Sequence, residues 1–495
     1  SAIEVGFGGV WVGSNPSLYF IPDKNGDDQP DSAPEVVLDG WGHEDMHEIL
    51  NSFAWGPDGW LYGTQGIFTN ANIGKPGEPD SERTKLNAGV WRLHPQTRKF
   101  EVFAHGTSNP WGVDWNDYGQ CFITACVIPH LYHIIQGGLY QRQAGKHFNE
   151  FAYDDIKTIA RHRHWGGANW AEGSRKGDDS TDAAGGGHAH AGAMVYLGDS
   201  WPDQYRNSIF MNNIHGNRIN NDSLMPDGSG FSGDRLPDFM KSSDKWYRGL
   251  GIKYGPDGSV FVSDWYDARA CHQQKPHDRR NGRIYKIVYQ NAHHDPVDLA
   301  KLGNDELVKL QLHKNDWFVR HARRILQERG PNPEVHRALA AQLADAKLTM
   351  PQRLRALWAL HVTGGFTDAL AKTLLDGKEP WLKAWAVQLL CQDKVPNDEL
   401  LRDFAAIARD SASRIERLYI ASAVQRLPVE KRWKILTGLV AHPEDQTDQN
   451  LSLMIWYGLE PVIATDPEQA AMLLGNCKVP KVQEFMARRM ASLSK

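Results

Sequence analysis

Short apolar runs punctuated by turn residues fill the chain up to about residue 290, and a helical spacing of apolar residues replaces them afterwards. Five units of one grammar stand out in the first part: "GGVWVGSNPSLYFIPD", "SFAWGPDGWLYGTQG", "NPWGVDWNDYGQCFITACV", "AGAMVYLGDSWPDQYRNSIFMNN" and "LGIKYGPDGSVFVSDWYD". Each reads as a strand, a Gly or Asp turn and a second strand. The GPDG turns at Gly56–Gly59 and Gly255–Gly258 put proline where a hairpin needs a fixed φ and glycine where it needs a permissive one. Self-similar hairpins spaced by tens of residues predict a β-propeller, one sheet per blade. An abrupt strand at residue 1 beside five visible units predicts six blades with the N-terminal one incomplete. A sandwich of regular strands is the plain alternative. Long insertions, Ile67–Lys85 and Tyr140–Gly187, separate the units, and loops of that length are usually functional.

The second part predicts stacked helical pairs. "DWFVRHARRILQER", "PQRLRALWALHVTGG", "PWLKAWAVQLLCQD" and "RIERLYIASAVQRLP" space apolar residues by three, four and seven. Ala322, Ala359, Ala386 and Ala421 recur where helices would approach, and Pro or Gly punctuates the ends. The expectation is a multidomain β + α chain: a propeller over 1–292 and an all-α, HEAT-like repeat domain over 293–495, with an unspecialised bundle as the alternative.

Composition narrows the function. The 495 residues are 41% hydrophobic, enough for large cores, and the net charge of -5 argues against a general nucleic-acid or membrane-surface binder. No run approaches the roughly 20 apolar residues that cross a bilayer. Five cysteines, an odd number, predict no disulfide framework, and Cys121 and Cys126 read as buried thiols. The strand-like first residues read as a processed or truncated end.

Three constellations could carry chemistry. "DKNGDDQPD" offers Asp23, Asn25, Asp27 and Asp31 at positions 1, 3, 5 and 9 of a calcium-type loop, although position 12 is Pro34 rather than glutamate. An acidic hairpin turn is the alternative reading. Histidines crowd the first part: His43, His47, His105, His130, His133, His162, His164, His188, His190 and His215. "RHRHW" and "HAHAG" pair them at i, i+2, one face of a strand, which could make a copper or zinc site. Finally His215, Arg218, Lys245, Arg248, Asp264 and Asp267 fall near later strand ends, where cations could hold an anionic cofactor or substrate. Ordinary surface ion pairs are the alternative for those.

"HEILNSFAWGPDGWLYGTQG", "NPWGVDWNDYGQCF", "AGAMVYLGDSWPDQYRNSIFMNNIHGNRI" and "GIKYGPDGSVFVSDWYD" followed by "NGRIYKI" together resemble the PVC-type membrane-bound dehydrogenase family. That family is a branch of the glucose/sorbosone dehydrogenase-like propellers, commonly followed by HEAT repeats and a c-type cytochrome domain. The resemblance covers about residues 1 to 430, so the chain would stop before the cytochrome or rely on a partner's haem. It implies a quinoprotein-type oxidoreductase acting on a sugar or related alcohol, with pyrroloquinoline quinone (PQQ) at the axis. His47 would be the general base, and Asn109, His190, His215, Arg218, Arg248 and Asp264 would hold the cofactor; the calcium-type loop Asp23–Asp31 is not where the related sugar enzymes bind the calcium that accompanies their quinone. A departure is Ser108, where the related enzymes carry an arginine. Implied partners are the small-molecule substrate, a c-type cytochrome and a protein on the helical repeats; the implied location is periplasmic or extracellular, possibly membrane-associated through a partner. A histidine-dependent metalloenzyme and a non-catalytic scaffold are the competing readings.

Overall fold

The computed structural model describes residues 2–45, 48–167, 179–267, 280–292 and 296–493. Five antiparallel-built sheets follow one another along the first part. Their first strands are Ala2–Val5, Asn51–Trp55, Asn109–Trp115, His190–Val195 and Gly249–Tyr254, and each packs on the next around a common axis. The ring closes where Lys253 of the fifth sheet meets Glu4 of the first, Nζ to Oε2 at 2.7 Å. The propeller therefore has five blades, not six. The first unit is a four-stranded sheet in its own right, so the N-terminal blade is not the incomplete one.

The inner strands share a device. A β-bulge shifts their register between Asn51 and Ala54, Pro110 and Val113, Ala191 and Met194, and Gly249 and Ile252. Each bulge leaves a carbonyl unpaired within its own ladder. The preceding sheet satisfies three of them: Thr64 Oγ1 donates to Pro110 O at 3.1 Å, Thr124 Oγ1 to Gly192 O at 3.3 Å, and Asn212 Nδ2 to Leu250 O at 3.1 Å. Blade is thus locked to blade close to the axis.

Both GPDG stretches are hairpin tips, with Gly59 at φ 81° and Gly258 at φ 70°. Gly59 is also pressed against the helical part, where Gln327 Nε2 donates to its carbonyl at 3.1 Å. A Cβ there would stand 2.5 Å from Gln327, so both space and backbone require glycine.

Twelve α-helices follow among the described residues, from Asn304–Lys309 to Pro480–Leu493. Side chains cap their first turns, as Asn315, Asn332, Thr349, Asn397 and Ser413 do, and Pro333, Pro380 and Pro467 open helices where no amide is needed. The four alanines sit in helices as expected, all fully buried. Helices Pro380–Leu390 and Arg414–Val424 pack as neighbours, and Trp358, Trp385 and Tyr419 join Trp60, Tyr62 and Trp115 of the propeller in one core. Among the described residues no helix is long and apolar enough to cross a membrane. Cys121, Cys126, Cys391 and Cys477 are buried and form no disulfide among the described residues.

Candidate functional site at the leading end of the propeller axis

The two ends of the axis differ. At the trailing end, where the inner strands finish, a cavity of about 310 Å³ is lined by Glu4, Trp55, Asp114, Met194 and Tyr254. Helix Asp316–Arg329 closes it with Trp317, Arg320 and His321. Arg320 bonds Asp114 and its own helix's Asp316, each at 2.6 Å, which fixes the closure. The helical part therefore occupies this end.

At the leading end, where the inner strands begin, titratable and polar groups gather from successive blades. Glu48 precedes the second inner strand, Asn109 opens the third, His188 precedes the fourth, and Arg248 precedes the fifth. Gly66 lets the first two approach: a Cβ on it would meet Asn109 Oδ1 at 2.7 Å and Glu48 Cβ at 3.0 Å. Burial first, and the Asp45 carboxylate second, push Glu48 from the ordinary 4.5 up to about 8. Its Oε2 is buried and finds no hydrogen-bond partner among the described residues. The same holds for Gln65 Oε1, Thr107 Oγ1, His215 Nδ1 and Asp264 Oδ2 at this end. His188 and His215 stand ring to ring, 4.5 Å apart and nearly perpendicular. Burial lowers His188 to about 4, while burial, then His188 and Arg248, lower His215 to about 3. Both imidazoles are therefore neutral at pH 7 and able to accept a proton.

Glu48 links pH to stability. Its pKa is raised on folding, so between about 4.5 and about 8 the folded chain holds a proton that the unfolded chain has released, and stability falls as pH rises through that window. Glu48→Gln should flatten this slope, melting a few degrees above the wild type at pH 8 and close to it at pH 4.5. Equal slopes in thermal melts of the two proteins would refute the assignment.

The expected site residues fall into three groups. Asn109 and His215 are at this end; Asn109 Oδ1 accepts from Ile67 N at 3.0 Å. Asp264 is there too, with Oδ1 accepting from the amides of Arg248 and Tyr266, both at 2.8 Å. The remaining groups are engaged by neighbours of their own. Arg218 is tied to Asp182 and, at 2.7 Å, to Asp238, so its charge is already matched. Arg248 Nη1 donates to the carbonyls of Lys245 and Tyr247, both at 2.8 Å. Ser108 Oγ bonds Gln143. His190, fully buried, turns its Nε2 to His164 Nδ1 at 2.8 Å, so "HAHAG" splits, one ring to each neighbourhood. His47 lies outside the described residues.

The chain matches the family described as Domain of unknown function (DUF7133) over residues 2–291, more than half its length. It belongs to that family. No curated relative matches it. Among solved structures, this DUF7133 chain is similar to the PQQ-bound aldose sugar dehydrogenase of Streptomyces coelicolor, at 16% identity and TM-score 0.36, covering 56% of this chain and 74% of that one. The apo-form soluble aldose sugar dehydrogenase of Escherichia coli gives 13% identity and TM-score 0.31, covering 58% and 95%. A luciferin-regenerating enzyme gives 12% and 0.33, covering 57% and 75%. The propeller rests on the sheet geometry above.

The Asp23–Asp31 loop lies at the outer edge of the first blade, between strands Ser17–Pro22 and Glu35–Leu38. Asp23 Oδ1 accepts from Gly26 N at 2.9 Å, Asn25 Oδ1 from Asp27 N at 3.2 Å, Asp27 Oδ1 from Gln29 N at 2.8 Å and Asp31 Oδ2 from Lys24 N at 2.7 Å. These oxygens shape the turn itself, and the loop is far along the sheet from the axis.

Proposed function

We propose that the chain is an oxidoreductase that oxidises a hydroxyl group of a sugar or related alcohol at the leading end of the axis. The observation that carries this reading is the buried Glu48 carboxyl, whose Oε2 has no hydrogen-bond partner among the described residues, on the same end of the axis as two neutral imidazoles, His188 and His215. Neutral donors and acceptors of this kind, with Gln65, Thr107 and Asn109 beside them, suit a polyhydroxylated ligand better than a polyanion. In the step proposed, the hydroxyl proton passes to an imidazole and the carbon's hydride to a two-electron acceptor, leaving a carbonyl. Protonated Glu48 donates to a substrate oxygen.

A PQQ cofactor would bring several carboxylates, and the two arginines expected to hold them, Arg218 and Arg248, are already engaged. Arg218 is matched by two aspartates and Arg248 faces main-chain carbonyls. The acceptor is accordingly proposed as one taken up with the substrate, a c-type cytochrome draining it. A protein partner on the helical array, HEAT-like stacking of its helices, calcium on the Asp23–Asp31 loop and a periplasmic or extracellular location belong to the same proposal, as does the PVC-type resemblance. His47 stays a second proposed base, as the residue that precedes Glu48 in the sequence.

Dye-linked oxidation assays over a panel of sugars and alcohols, each with and without added quinone and calcium, test the reading. Turnover of at least one member is expected. No dye reduction under any of these conditions would remove the oxidoreductase.

A further inference from the structure

A second cluster lies between the third and fourth blades. His130 sits on the turn after strand Cys121–Cys126, His162 and His164 on the connection to the fourth blade, and Asp222 at the end of strand Arg218–Asp222. Their ligand-type atoms all lie within 4.8 Å of one another. The three Nε2 atoms converge on one carboxylate: Asp222 Oδ2 is 2.6 Å from His130, and Oδ1 is 3.2 Å from His162 and 3.4 Å from His164. His162 and His164 face each other Nε2 to Nε2 at 3.1 Å.

Hydrogen bonding alone accounts poorly for this arrangement. Asp222 Oδ1 is fully buried without a hydrogen bond, although three imidazole Nε2 atoms crowd its carboxylate. A bound ion accounts for it well. Metal–nitrogen and metal–oxygen bonds of about 2.0–2.1 Å place neighbouring tetrahedral ligands about 3.3 Å apart, close to three of the four separations above. The fourth, His130 to Asp222, needs only a small outward rotation. His164 also has the supporting contact ligand histidines require, its Nδ1 against His190 Nε2 at 2.8 Å.

We infer that His130, His162, His164 and Asp222 form a four-coordinate site for a divalent transition-metal ion of the zinc class. Three neutral imidazoles and one carboxylate leave the ion one net positive charge, and soft sulfur ligands are absent, which disfavours monovalent copper. Four protein ligands close the coordination sphere, so the ion binds no substrate; it staples the connection carrying His162 and His164 to both flanking blades. His130, His164 and Asp222 are buried, and the partly buried His162 is the ligand through which the ion enters. The role is independent of the oxidation proposed above.

The purified chain is incubated with zinc, desalted and measured by elemental analysis, and in parallel loaded with cobalt for visible spectroscopy. About one zinc per chain and the intense absorption of four-coordinate cobalt are expected. His164→Gln and His162→Gln should each weaken zinc binding by more than about 100-fold, and chelation should lower the melting temperature of the wild type but not of the variants. Less than about a tenth of an equivalent, a weak six-coordinate cobalt spectrum, or zinc binding unchanged in both variants would overturn the site. Because wild-type loading and its spectrum are read directly, a variant that fails to fold leaves the test intact.

Discussion

Replacing Arg92 by methionine lowers the unfolding free energy by about 3–5 kcal/mol, the usual cost of removing one partner of a buried ion pair. Arg92 is fully buried in the second blade, 2.7 Å from Asp58 and 2.8 Å from Glu101, with its guanidinium 4.3 Å from the Trp60 ring. The network crosses to the helical part: Gln392 Nε2 donates to Asp58 at 3.0 Å and Arg426 pairs with Glu101 at 3.0 Å. Methionine fills much of the volume but strands Asp58, 2% exposed, without a counter-charge. Adding Asp58→Asn should recover part of the loss, since the two sites share one interaction. Denaturant titrations of the single and double variants read this, and a single-variant loss below about 1 kcal/mol would contradict it. The pair also has a pH signature. Burial alone would raise Glu101, but Arg92 foremost, then Arg426, hold it down from 4.5 to about 2, so its contribution is present above pH 4.5 and lost as pH falls toward 2. Arg92→Met should shrink that acid-side loss.

The second large effect concerns turnover. His188→Ala should reduce oxidation by about 100- to 10,000-fold, the usual range for a positioned proton acceptor. Its main chain is anchored, the carbonyl accepting from Val127 N at 3.1 Å, and its ring is held against His215, so the loss should appear in kcat with little change in melting temperature. Around that ring the charged and titratable groups are His215, His190 and, through His215, Arg248. His47→Ala is the companion variant. A loss confined to it, with His188→Ala fully active, would move the base to His47.

Local signals carried the fold further than the site. The GPDG hairpins were legible because proline and glycine fix a turn within four residues. The helices were legible because their apolar spacing and caps are equally local. The blade number was not, since closure depends on Glu4 meeting Lys253, 249 positions along the chain. The site suffered similarly. The sign of Arg218 was readable, but not that Asp182 and Asp238 already match it. "RHRHW" raised the possibility of a metal site, yet His130 gave no sign of lying beside it, and Asp222 inside "RINND" gave no signal at all. "HAHAG" misled because alternation puts two side chains on one face only in a regular strand, and His188 precedes the strand that His190 opens. Glu48 was visible beside His47, but its elevated pKa comes from burial, which has no local signature.

The most direct test of an active end at the leading side of the axis is the pH profile of kcat/KM for wild type and Glu48→Gln. Free-enzyme ionisations of an essential base and acid govern that quantity. The account predicts a wild-type plateau bounded by His188 at about 4 and Glu48 at about 8. Glu48→Gln, which keeps a hydrogen-bond donor that cannot ionise, should retain the acid limb and lose the alkaline one. An alkaline limb unchanged in Glu48→Gln would contradict the account.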